Sequence, residues 1–259
     1  MFANERRAKI VDMLEKQSSV TVADLMTQFH VSIETVRRDL EFLEKQQALK
    51  RVHGGAVSIS RMKKLDKLES RLSENNALKQ NLSQIAARFV SENDTIAIDS
   101  GSTALELAHL LKDHYRRLTV VTNSPEVFGI VSEAEDFEVI LIGGQFMREE
   151  QAFYGHLALD AVQRLHFSKA FVFPNTISLR QGAGVFVHEL FEIQRAYIQH
   201  ADEVFILADS SKFETTATIK LCDLLPSYRV ITDSNLPDDL LQLYRKRGIQ
   251  IHNSEEGLV

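Results

Sequence analysis

Apolar residues recur along this chain in two rhythms, and the point where one gives way to the other divides it. The first rhythm is helical. Val22, Leu25, Met26 and Phe29 stand at i, i+3, i+4 and i+7, one face of a short helix that Thr21 can cap. His30-Val31-Ser32 breaks the period. Ser32 then caps a longer helix with Ile33, Val36, Leu40 and Leu43 along one side. Leu49-Lys50-Arg51-Val52-His53 has the character of a strand, Gly54-Gly55 supplies a tight turn, and Ala56-Val57 begins the return. From 58 to 81 the chain is polar and charged, with Leu65, Leu68 and Leu72 at helical spacing, so it reads as a partly helical linker.

Beyond residue 81 short runs rich in Val and Ile alternate with helical segments. Residues 82–90 predict a helix, TIAID (95–99) a strand and residues 104–114 a helix. LTVVTN, FEVILIGG, KAFVFPN, EVFILAD, YRVITD and IQIHN continue the series, separated by HLALDAVQRL, HELFEIQRAYIQHA and DDLLQLYRKRG. Buried strands alternating with helices imply a mostly parallel α/β sheet. The predicted organisation is therefore a winged helix-turn-helix over 1–57, a linker over 58–81 and an α/β domain over 82–259.

The polar positions of the longer N-terminal helix give it a chemistry. At roughly 100° per residue, Glu34, Arg38, Glu41 and Lys45 project opposite the apolar stripe, with Thr35 and Arg37 on its flanks. Such a helix suits a major groove, Arg38 and Thr35 facing base edges and Arg37 meeting phosphate. A plain helical hairpin with solvated charges would show the same amphipathic pair. The hairpin that follows decides between them, because Lys50, Arg51 and His53 form a wing suited to the phosphate backbone. Thr21, Ser32 and Glu34 complete the candidate DNA-contacting set, and Arg61, Lys63 and Lys64 could extend the footprint.

Charge supports this division. The net charge is −6, yet residues 1–64 hold 12 Lys/Arg against 8 Asp/Glu, and the remaining 195 hold 18 against 28. A cationic head on an acidic body is the pattern of a nucleic-acid-binding module whose partner domain repels DNA. The head's excess is modest, so two or more heads acting together are expected, in a homodimer or homotetramer. Cys222 is the single cysteine, which excludes an internal disulfide and a multi-cysteine zinc site. In LCDLL it reads as a small apolar packer. With no membrane-length apolar run and no signal-peptide pattern, a reduced cytoplasm is the expected location and no membrane partner is expected.

Small and hydroxyl residues follow the predicted strands: Asp99-Ser100-Gly101-Ser102-Thr103, Thr122-Asn123-Ser124, Gly143-Gly144 and Asp209-Ser210-Ser211-Lys212. In a parallel sheet these ends share one edge, where open α/β folds bind ligands. The set suggests a polar pocket; it does not suggest a metal cage, and it asks for no cofactor. Residues 99–103 lie between a strand and a helix N-terminus, which favours an anion. A plain capping turn accounts for them equally well on the residues alone.

The stretch VSIETVRRDLEFLE…ALKRVHGGAV resembles the DNA-binding signature of the DeoR-type bacterial repressors of sugar metabolism, and the rest is similar to that family's sensor domain. The resemblance implies a ligand-responsive repressor of a carbohydrate operon and a sensor with a ribose-phosphate-isomerase-like fold that binds a phosphorylated sugar. The family's Asp-x-Gly-Ser/Thr-Thr loop corresponds to residues 99–103, and its Arg and Lys eight residues apart to Arg71 and Lys79. Lys212 then becomes a second phosphate contact, with a surface lysine as the alternative. Arg148 could close over the ligand or be solvated, and Glu189 could accept from a sugar hydroxyl or cap its helix. Two positions depart from the family. Pro174-Asn175-Thr176-Ile177 stands where a glycine-containing loop is usual, and Gln194-Arg195 where a lysine often precedes the arginine. An isomerase-like enzyme using Asp99, Glu189 and Lys212 is the second hypothesis; the fused head and the uncharged Gln194 count against it.

Overall fold

The computed structural model describes residues 3–17, 19–46, 48–52, 54–58 and 67–254. It separates into two compact units, Met1–Lys64 and Leu65–Val259.

The first unit runs α1 (Ala3–Gln17), β1 (Ser19–Thr21), α2 (Val22–Phe29), α3 (Ile33–Lys45), β2 (Leu49–Val52) and β3 (Gly55–Ser58). Its apolar stripes meet as predicted: Leu25 and Phe29 of α2 and Val36, Leu40 and Leu43 of α3 are buried together with Ile10 and Leu14 of α1. The Thr21 hydroxyl accepts from Asp24 N at 3.1 Å and the Ser32 hydroxyl from Thr35 N at 3.4 Å, so both helix starts follow from their caps. The strands form one antiparallel sheet in the order β1-β3-β2. β1 approaches β3 so closely that a Cβ on Gly55 would stand 2.1 Å from the Val20 carbonyl oxygen, which is why only glycine fits there.

One clamp in this unit escapes the hydrophobic pattern. Asp39 of α3 is 2% exposed and receives Arg6 Nε at 2.6 Å and Arg7 Nε at 2.8 Å, both from α1. The Arg7 guanidinium also lies 3.8 Å over the Phe42 ring.

The second unit begins with α4 (Leu68–Leu72) and α5 (Asn76–Ala87). The sequence pattern gives residues 67–81 to the linker, whereas here they pack as part of this unit and the second helix starts at Asn76. Lys79 explains the difference. A lysine in a polar stretch looks solvated, yet this one is 4% exposed, its ammonium donating to the carbonyls of Arg71 and Glu74 at the end of α4. Burial and the charge of Lys212 lower its pKa.

The chain continues through β4 (Thr95–Ile98), α6 (Ser102–His114), β5 (Thr119–Thr122), α7 (Pro125–Val131), β6 (Glu138–Leu141), β7 (Gln145–Met147), β8 (Ala152–Tyr154), α8 (His156–Val162) and β9 (Phe167–Val172). It then forms β10 (Thr176–Ser178), β11 (Gly182–Val185), α9 (His188–Gln199), β12 (Ala201–Leu207), β13 (Ile219–Cys222), β14 (Arg229–Ile231), α10 (Asp238–Lys246) and β15 (Gln250–His252). Seven strands make one parallel sheet in the order β15-β14-β12-β9-β4-β5-β6. Successive residues of its central strands enter different cores. Ile96, Ile98, Val120, Phe171 and Phe205 pack with α5, α6 and α7; Ala97, Val121, Ala170, Val172 and Ile206 pack with α8, α9 and α10. Burial on both faces is what makes these strands read as continuous apolar runs. A β7–β8 hairpin and a β10-β11-β13 sheet are additional to the predicted elements. Their short strands, with Gly182 and Gly184 in β11, carry no apolar rhythm to detect.

Candidate functional site

In the first unit the candidate interface is the outer face of α3 and the wing. Glu34, Arg37 and Arg38 are exposed, and Thr35 is half-buried with its hydroxyl 3.1 Å from that of Ser32. Neither arginine makes a hydrogen bond or ion pair with a described residue, which leaves both guanidinium groups available to an anion or a base edge. Thr21 is committed to its helix start: besides capping α2, its hydroxyl donates to Asp24 Oδ2 at 2.6 Å. Arg51 lies on β2, exposed, its backbone N–H donating to Glu44 Oε1 at 2.8 Å and its guanidinium 4.0 Å from the same carboxylate. That contact ties the wing to the end of α3. His53, the side chain of Lys50, Arg61, Lys63 and Lys64 lie outside the described residues and side chains.

In the second unit the strand order reverses between β4 and β9. From β4 the chain winds outward through β5 and β6; from β9 it winds the other way through β12, β14 and β15. Loops leaving the two strands part here, and such a switch point is where open α/β sheets leave a crevice. A small cleft occupies it, lined by Ser100 after β4, Phe173 and Asn175 after β9, Gln194 of α9, and the ion pair of Arg71 with Glu150. Val185, Val187 and Leu190 form its apolar wall.

The loop after β4 leads from that strand into the N-terminus of α6, and of residues 99–103 only Ser100 lines the cleft. Asp99 is fully buried, and Ser100, Ser102 and Thr103 are nearly so. Gly101 adopts a φ of +141°, a conformation L side chains rarely take, and stands as the N-cap of α6 with no side-chain cap. The first N–H groups of α6 therefore have no intrahelical acceptor. Burial pushes the Asp99 carboxyl up to about 7, against the Gln194 amide and the N–H groups of Ser100 and Phe173, which favour its charge. Gln194 Nε2 donates to Asp99 Oδ2 at 2.6 Å. Glu150 is also raised by burial, with Arg71 opposing.

The remaining candidates divide into two groups. Lys212 donates to the Pro174 carbonyl at 3.4 Å, which places its ammonium beside the loop that lines the cleft. Thr122 and Asn123 are buried and occupied. The Thr122 hydroxyl accepts from Ser124 N at 3.1 Å, and the Asn123 amide donates to the Phe153 carbonyl at 3.0 Å, fastening the β7–β8 hairpin to the sheet. Gly143, Gly144, Arg148 and Glu189 are exposed and are not among the residues lining the cleft. Arg71, Glu150, Asn175 and Gln194 are the polar lining groups that the strand-end motif misses. Of these, Arg71 stands at a family position, Asn175 and Gln194 at positions that depart from the family, and Glu150 leaves no signal. Cys222 is half-buried with its thiol pushed up to about 12 by burial, which suits a packing residue and not a nucleophile. Among the described residues no cluster of His, Cys, Asp or Glu could hold a metal, and no helix is long and apolar enough to cross a membrane.

The DeoR-like helix-turn-helix domain matches residues 6–62, and the DeoR C terminal sensor domain matches residues 74–234. The chain belongs to the DeoR family. It is 32% identical to the putative aga operon transcriptional repressor of Escherichia coli O157:H7, over 96% of this chain and 93% of that one. It is 31% identical to the lactose phosphotransferase system repressor of Lactococcus lactis subsp. lactis, over 93% and 95%. With the L-fucose operon activator of Haemophilus influenzae it shares 33% identity, over 92% and 94%. Among solved structures, ribose 5-phosphate isomerase A of Methanocaldococcus jannaschii matches 55% of this chain and 56% of that one at 14% identity and a TM-score of 0.40, too loose a likeness to bear on activity. As a DeoR-family protein the chain is a DNA-binding transcriptional regulator, not an isomerase.

Proposed function

We propose that this DeoR-family regulator represses a carbohydrate-utilisation operon, and that a phosphorylated sugar bound in the switch-point cleft modulates its grip on the operator. The observation that carries the reading is that cleft. Ser100 lines it just before the N-terminus of α6, which has no side-chain cap, the Ser102 and Thr103 hydroxyls lie in the first turn of that helix, and Lys212 stands beside the facing loop. A helix N-terminus with hydroxyl donors and a nearby ammonium favours a phosphoryl group. The rest of the ligand meets Asn175, Gln194 and the apolar wall. Exposed Arg37 and Arg38 on α3 supply the operator contacts, with Arg51 on the phosphate backbone. Two or more heads act together, since one head's small positive excess gives modest affinity.

The test is a gel-shift titration of the purified protein on the promoter beside its own gene, with a panel of sugar phosphates. The expected result is retarded DNA that at least one sugar phosphate releases. Operator affinity indifferent to the whole panel overturns the sensing role; failure to shift promoter DNA at low salt overturns the reading entirely.

A further inference from the structure

The amide of Gln194 has two ends in different circumstances. The residue is 5% exposed, lies on α9 and lines the cleft. Its Nε2 donates to Asp99 Oδ2 at 2.6 Å, while its Oε1 is buried without a hydrogen-bond partner. Asp99 Oδ1, beside it, is likewise buried and lacks a hydrogen bond of ordinary geometry. Buried amide oxygens are nearly always satisfied, so an unpartnered one on a residue that lines a cleft marks a place where a ligand that shifts the side chain slightly completes the bonding. Once ionised, above about pH 7, the Asp99 carboxylate fixes which end of the amide lacks a partner, because the reverse orientation would set two oxygens against each other. Arg71 is the one cation among the lining residues, and its guanidinium is held by Glu150. Gln194 Oε1 and Asp99 Oδ1 therefore offer the cleft hydrogen-bond acceptors, and the one lining guanidinium is already engaged by a carboxylate.

We propose that Gln194 is a specificity-determining residue, its free Oε1 accepting a hydrogen bond from a ligand hydroxyl, so that the cleft takes polyol-type sugar phosphates and rejects sugar-acid phosphates that would bring a carboxylate to this position. The proposal rests on the sugar-phosphate reading above and narrows it. A hydroxyl donates to Oε1 and leaves the Asp99 bond intact. A carboxylate has no hydrogen to give and adds a negative charge beside Asp99 and Glu150, a combination costly at short range. A lysine in place of Gln194 would neutralise Asp99 and put an ammonium where the open oxygen now stands, which inverts the preference.

The experiment is calorimetric titration of the full-length protein at pH 8 with sorbitol 6-phosphate, 6-phosphogluconate and inorganic phosphate. The two organic ligands have equal length and differ at carbon 1, a hydroxymethyl in one and a carboxylate in the other. The wild type should bind the polyol phosphate at least tenfold more tightly. Gln194→Lys should reverse that order. Gln194→Met, which keeps the length and removes the amide, should weaken polyol phosphate binding about tenfold while leaving inorganic phosphate unchanged, showing that the cleft is still folded. Equal binding of the two organic ligands by the wild type, preference for the acid, or an unchanged order in Gln194→Lys overturns the proposal and leaves the sensing role standing. Binding of none of the three by the wild type overturns both.

Discussion

Arg38 projects from α3 with no bond to a described residue, so its guanidinium does not have to leave a protein partner before it reaches a base. Its truncation should cost about 1–3 kcal/mol on the cognate site and relax the choice of sequence there. Competition binding with single-base operator variants checks this; undiminished discrimination by Arg38→Ala would mean the outer face of α3 does not read bases. Asp99 shows a residue-scale effect of a different kind. Its folded pKa of about 7 lies above the ordinary 3.8, so between those values the native state holds a proton the unfolded chain has lost. This stabilising contribution is complete below the lower value, falls as pH rises through the window, and is gone above the upper one, with a slope approaching about 1.4 kcal/mol per pH unit. Asp99→Asn removes the titration. Urea unfolding at pH 5 and pH 8 should therefore show the wild type losing stability relative to the variant at the higher pH, and parallel curves would refute the assignment. The low dielectric around Asp99 could not be read from its neighbours in sequence, since Asp99-Ser100-Gly101-Ser102-Thr103 looks the same in a solvated turn.

Among the elements, helices were the most legible. Their period, together with Thr21 and Ser32 at the starts, predicts α2 and α3 because a cap and an apolar stripe are both local properties. The α1–α3 clamp is not local. Asp39 sits among polar residues on α3, and only the packing of α1 across it buries the carboxylate between Arg6 and Arg7. Asp39→Ala would strand a buried guanidinium, and the expected loss is about 3–5 kcal/mol of head stability. Thermal melting followed by loss of operator binding measures it, while ligand binding in the cleft should persist. The wing behaves differently. Arg51 is exposed and paired only loosely with Glu44 at 4.0 Å, so Arg51→Ala should lower affinity evenly across DNA sequences and reduce the salt slope of binding by about 1. An unchanged slope would place β2 away from phosphate.

At the level of the whole molecule, periodicity and charge already separated a cationic head from an acidic body, and the two units have their own cores. Ile10 to Ala56 enter one cluster, and the clusters on the two faces of the large sheet draw only on residues from Ala97 or Leu82 onward. Element type, helix starts and the partition of charge depend on residues close together in the chain, so the order of amino acids determines them directly. Strand order does not. A parallel strand carries the same apolar run wherever it lies in a sheet, and nothing local in β4 or β9 announces that they adjoin. That adjacency makes the switch point, brings Gln194 to Asp99 across 95 positions and Arg71 to Glu150 across 79, and so creates the cleft. Those contacts exist because burying both faces of one sheet admits few arrangements of its helices, a choice made by packing and not by any single segment.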